Sequence, residues 1–238
     1  MSNATDGRSA GRPGRPGRAL AGCPRRLGRA LAGCPRRSPA TFGYLVLLLV
    51  DTLVVKQLLS AATADKVLLA ISTNVDNMGR HPVGSLLGSM LVVDDGSWLD
   101  YLLIIGVGLA GCLALLERRF GSLRAVGTVL AGHVGATLVT TAVITVATRN
   151  GTYPQEVRHT LDYGVSYVSI AAVGAATVLL PRWARPWWAA AAVLYPLSSA
   201  DWYGRLPDFV AIGHVSAALI GLAVAVVGTA IGRRRQRR

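Results

Sequence analysis

Two side chains able to act as nucleophile and general base, Ser166 and His214, lie within apolar runs of a 238-residue chain. A serine hydroxyl is a weak nucleophile at its own pKa, and a neutral imidazole within hydrogen-bond reach is suited to activate it. Ser166 follows Asp162 by four residues and His214 follows Asp208 by six, at the same end of their respective runs. At helical rise these offsets amount to roughly 6 and 9 Å. The two groups therefore share a depth, and a Ser/His dyad is chemically possible. Each residue also has an ordinary reading. A Gly-x-Ser in an apolar helix is commonly a packing serine bonded back to its own turn, and a buried His is commonly an interhelical hydrogen-bond partner.

The elements that must position this pair are membrane spans. The chain is 52% hydrophobic and 16% charged, with a mean hydropathy of +0.43, which disfavours a water-soluble domain. A helix needs about 20 apolar residues to cross roughly 30 Å of hydrocarbon. Six runs qualify: 42–59, 98–116, 123–148, 164–180, a short Ala-rich 184–199, and 209–231. The chain thus reads as an all-α, six-transmembrane-helix bundle over 41–232, flanked by a disordered basic tail at 1–40 and a second basic tail at 233–238. In the first tail GRALAGCPRR occurs twice, at 17–26 and 28–37, in a Gly/Pro-rich context that cannot bury a core. A cleaved signal peptide ending near Ala64 is the alternative for the first run; its length and its interior Asp51 disfavour it.

Charge sets the orientation. With both termini inside, nineteen of the 25 Lys and Arg residues fall on the cytoplasmic side and six on the other, the asymmetry expected of a plasma-membrane protein obeying the positive-inside rule. The net charge of +13 therefore belongs to tails and short loops, and no nucleic-acid surface is expected. Cys23, Cys34 and Cys112 form neither a CxxC nor a Cys/His cluster, so neither a metal nor a disulfide framework is expected.

Small residues on the fourth run (Gly164, Ser169, Ala172, Gly174, Ala176) and on the sixth (Gly213, Ala217, Gly221) allow those helices to approach closely. Other intramembrane polar groups read more simply. Asp51, five residues before Lys56, reads as a protonated or hydrogen-bonded carboxyl facing another helix. His133 reads as packing glue, too deep to join the outer pair. His159, seven residues before Ser166, is the rival base. The long connection 60–97 predicts one or more short helices on the outer face.

The string Leu116-Glu117-Arg118-Arg119-Phe120-Gly121-Ser122 resembles the Glu-x-x-x-Gly turn of rhomboids, the intramembrane serine proteases. Gly164-Val165-Ser166-Tyr167 stands where that family carries Gly-x-Ser-Gly, and His214 with Gly221 fits its His-x-x-Gly-x-x-x-Gly. The resemblance covers about 42–232. It implies Ser166 as nucleophile and His214 as base, acting on peptide bonds of transmembrane protein substrates without a cofactor. Four positions depart from the pattern. The His and Asn that rhomboids use as oxyanion donors fall on Tyr101 and Ile105, Tyr167 replaces a Gly, and Ala217 replaces another. Loss of one such donor costs about 10² to 10³ in rate. Backbone N–H groups of the helix start near Ser166, and the Tyr101 phenol, are the available substitutes. The alternative is a catalytically inactive rhomboid-like protein that binds other transmembrane segments; a small transporter lacks the expected inverted repeat.

Overall fold

The computed structural model describes residues 34–93 and 96–236. The tail predicted for 1–40 therefore lies outside the described residues up to position 33, and so do 237 and 238. Pro35–Arg238 forms one compact unit.

Apolar composition and length produce four helices able to cross a membrane among the described residues: α1 (Pro39–Leu58), α5 (Trp98–Phe120), α6 (Ser122–Arg149) and α9, whose apolar part is Phe209–Gly232 and which continues to Gln236. Between α1 and α5 the long connection folds into three short helices, α2 (Ala61–Ile71), α3 (Val75–Arg80) and α4 (Pro82–Ser89). The start of α3 is capped by Asn74, whose side chain accepts from Asn77 N at 2.9 Å. The fourth and fifth runs are shorter than expected. α7 spans Val165–Leu179, twelve α-helical residues plus a 3-10 turn, and α8 is the 14-residue Arg185–Ser198 with Pro196 inside it. A hairpin, β1 (Trp202–Tyr203) on β2 (Leu206–Pro207), precedes α9.

The short α7 is the hub of the bundle. Tyr167, Val168, Ala171, Ala172 and Ala175 on it are fully buried, and it packs against α5, α6 and α9. Its contact with α9 is made by reciprocal glycines: a Cβ on Gly174 would stand 2.1 Å from Ala218 O, and one on Gly221 2.1 Å from Ala171 O. Only hydrogen fits at either place, so the two backbones touch. α5 is wound with i→i+5 hydrogen bonds over Leu102–Leu113. Within that stretch Gly108 admits Ser169, whose Oγ donates to Ile104 O at 3.1 Å. Extra carbonyls exposed by such winding need partners of this kind.

The turn from α5 to α6 passes through Gly121 at φ +86, ψ 158, a conformation open essentially to glycine. Just before it, the buried Glu117 carboxylate accepts from Ala40 N (2.8 Å), Thr41 N (2.8 Å), Thr41 Oγ1 (2.7 Å) and Ser122 Oγ (2.6 Å). One side chain thus fastens the start of α1 to the α5–α6 corner.

Candidate functional site

The loop ahead of α7 determines where Ser166 stands. Asp162 O accepts from Thr73 N at 2.9 Å and Thr73 Oγ1 at 3.0 Å, Asp162 N donates to Ser72 Oγ at 2.9 Å, and Gly164 N donates to Ser89 O at 3.0 Å. These bonds hold 162–164 in extended or turn conformation, so the helix begins only at Val165. Ser166 then falls in the first turn of α7, where backbone N–H groups have no intrahelical acceptor. His214 lies in the second turn of α9.

A cavity of about 340 Å³ opens at this end of the bundle, and Tyr101, Ser166 and His214 all line it, with Asp100, Ile104 and Asp162. The three residues singled out from the sequence thus share one chamber. They are not yet hydrogen-bonded to one another. Ser166 Oγ donates to Tyr163 O at 3.4 Å, a long bond within its own turn. His214 Nε2 is buried with no hydrogen-bond partner. A buried polar atom left in this state costs about 1–3 kcal/mol, so its persistence calls for an explanation.

Tyr167 does not line the chamber but packs against His214, which does. Its ring meets His214 edge-on, with centroids 5.5 Å apart and planes at 75°. A Cβ on Gly213 would stand 2.5 Å from the Tyr167 phenol, so the missing side chain on α9 makes room for the large residue on α7. The Tyr167 hydroxyl donates to Asp162 Oδ2 at 3.2 Å, and Thr73 Oγ1 donates to the same oxygen at 3.1 Å. Burial pushes the Asp162 carboxyl up to about 6 despite these two donors. Asp162 is buried in part through Thr73, 89 residues earlier in the chain.

The remaining candidates separate cleanly. His159 is exposed, with Nδ1 2.9 Å from Asp76 Oδ2, and is not among the residues lining the chamber. His133 Nε2 sits 3.0 Å from Leu86 O, and its ring fills the space that a Cβ on Gly164 would need, 2.0 Å from Cε1. It is packing, as expected, but it packs at the level of the loop that leads into α7 and not deep beneath it. Ile105 does not line the chamber, whereas Ile104 does. Asp51 and Lys56 line a separate small cavity beside Tyr163, and the five-residue turn of α1 at Val54–Leu58 suits their spacing. Among the described residues no three His, Cys, Asp or Glu side chains gather to hold a metal ion.

Compared with known proteins, residues 34–234 match a family model described as "Rhomboid-like protein". No curated protein and no solved structure matches the chain.

Proposed function

We infer, from the premise that this chain belongs to the rhomboid-like family and is a multi-pass membrane protein, that it is an intramembrane serine endopeptidase cutting transmembrane segments. The carrying observation is the partnerless, buried Nε2 of His214 in the chamber that Ser166 and Tyr101 also line. Ser166 Oγ turns from Tyr163 O toward this nitrogen. As Oγ bonds to the substrate carbonyl carbon, its proton passes to Nε2. The oxyanion faces the first-turn N–H groups of α7 and the Tyr101 phenol. Collapse breaks the C–N bond, and the imidazolium protonates the departing amine; water, deprotonated by the same imidazole, then releases the acyl group. In this reading α7 and α8 count as short spans of a six-helix domain at 41–232. The protein lies in the plasma membrane with both basic termini cytoplasmic and the chamber beneath the outer surface. No cofactor or metal takes part.

A second reading has its own observation. Ser166 Oγ is engaged on Tyr163 O, and the positions where the family keeps its polar oxyanion donors carry Tyr101 and Ile105. A non-catalytic protein that holds other transmembrane segments in the same chamber would need neither an activated serine nor those donors.

A fluorophosphonate probe separates the two. The protease reading expects Ser166 to be labelled in the folded protein, with Ser166→Ala and His214→Ala each abolishing both labelling and cleavage of a single-span substrate. Retention of a single-span segment by folded protein that takes up no label establishes the binder.

A further inference from the structure

At the opposite end of α7 from Ser166 lies a chamber of about 710 Å³, lined by Arg118, Arg119, Arg124 and Arg185. Three helix ends deliver these cations: the last turn of α5, the first turn of α6 and the first turn of α8. Arg185 is fixed there by donating Nε to Leu180 O and Nη2 to Val178 O, both at 3.0 Å. Arg119 stacks over the Phe120 ring at 5.9 Å. None of Arg119, Arg124 and Arg185 forms an ion pair with an acidic side chain among the described residues. Converging guanidinium groups without carboxylates favour a phosphate-bearing anion.

The chamber does not end at its arginines. Phe120, Arg124, Gly228, Thr229 and Gly232 line it and also line a neighbouring apolar groove of about 400 Å³ between α6 and α9. A Cβ on Gly127, Gly228 or Gly232 would meet nothing within 4 Å, so these glycines are not consumed by helix packing and the groove stays open. A cationic cup joined to a greasy slot at the end of membrane-spanning helices has the two-part chemistry of a lipid.

We propose that this cup and groove bind one anionic phospholipid, its phosphodiester headgroup among Arg119, Arg124 and Arg185 and an acyl chain along Gly228 and Gly232. The assignment is independent of whether Ser166 is a nucleophile. Charge complementarity selects the occupant: a zwitterionic lipid would bring a second cation into the ring of arginines, and a free phosphate would leave the groove unused.

Native mass spectrometry of the full chain, released from membranes of equal phosphatidylglycerol and phosphatidylcholine, tests this. The expected result is one retained phosphatidylglycerol, preferred about tenfold over phosphatidylcholine. Arg119→Gln with Arg124→Gln should bring that preference near unity. Gly228→Leu, which fills the groove without touching a charge, should lower retention of both lipids; thermal unfolding checks that each variant is folded. Soluble glycerophosphoglycerol, sharing the headgroup, should displace the lipid weakly. No preference in the wild type, a preference unchanged in folded Arg119→Gln/Arg124→Gln protein, retention of both lipids unchanged in folded Gly228→Leu protein, or equal displacement by glycerophosphoglycerol or inorganic phosphate overturns the proposal.

Discussion

Tyr167 stands edge-on to His214 with ring centroids 5.5 Å apart, and its hydroxyl reaches past the imidazole's helix to Asp162 Oδ2 at 3.2 Å. A residue that departs from the rhomboid pattern thus packs against the candidate base and bonds to the buried carboxyl. Tyr167→Phe keeps the ring and removes one donor to Asp162, an expected loss of about 1–2 kcal/mol. Tyr167→Ala empties a fully buried site and should lose about 3–5 kcal/mol. Unfolding in mixed micelles measures both, and a larger loss from Phe than from Ala would contradict the packing role.

Asp162 links stability to pH. Its carboxyl, pushed up to about 6 by burial, titrates near 3.9 in an unfolded chain. Between those values the folded state holds a proton that the unfolded state has released, so stability is greatest at the acid end. It should fall as pH rises from about 4 to about 6 and level off above. Asp162→Asn, neutral throughout, should remove this component. The checking measurement is the difference in Tm between the two proteins from pH 4 to 7, which should change in favour of Asp162→Asn as pH rises.

Glu117 and Gly121 test the corner. Glu117 carries four acceptor bonds in a buried setting, so Glu117→Ala leaves several donors stranded and should lose about 3 kcal/mol or more. Glu117→Gln keeps the shape and one carbonyl oxygen and should lose less. Gly121→Ala forces a Cβ into a glycine-only region, with an expected loss of about 1–3 kcal/mol. Limited proteolysis near Thr41 should accelerate in Glu117→Ala, because its backbone and hydroxyl donors release together.

How far sequence reasoning reached depended on the reach of the interaction. Ser166 and His214 stood out because polar groups are rare on an apolar background, and counting turns from the ends of their runs set them at one depth. Gly174 and Gly221 were legible as small residues where helices must meet. What sequence reasoning could not supply was tertiary. The start of α7 at Val165 is set by Ser72, Thr73 and Ser89, so the fourth run yields a shorter helix than its apolar length suggests. The burial of Asp162 depends on Thr73 and Tyr167 closing over it. The i→i+5 winding of α5 and the lining of the chamber by Ile104 instead of Ile105 were both hidden in a uniformly apolar stretch. Arg119, Arg124 and Arg185 were each counted toward membrane orientation; only folding gathers them around one cavity.

The glycine contact between α7 and α9 supplies the last prediction. A methyl on Gly174 or Gly221 would meet a carbonyl oxygen of the facing helix at 2.1 Å. Backbone cannot rotate aside as a side chain can, so Gly174→Ala and Gly221→Ala must push the helices apart, each at an expected loss of about 1–3 kcal/mol or more. One separation relieves both clashes, and the double substitution should therefore cost less than the sum of the singles. Gly43→Ala in α1, where a Cβ meets nothing within 4 Å, is the control; it should be neutral or stabilising by about 0.5–1 kcal/mol. Because Ser166 and His214 ride on the two separated helices, fluorophosphonate labelling in the Gly221→Ala protein should fall further than its stability does. Full additivity of the two glycine substitutions would show that the contacts yield independently.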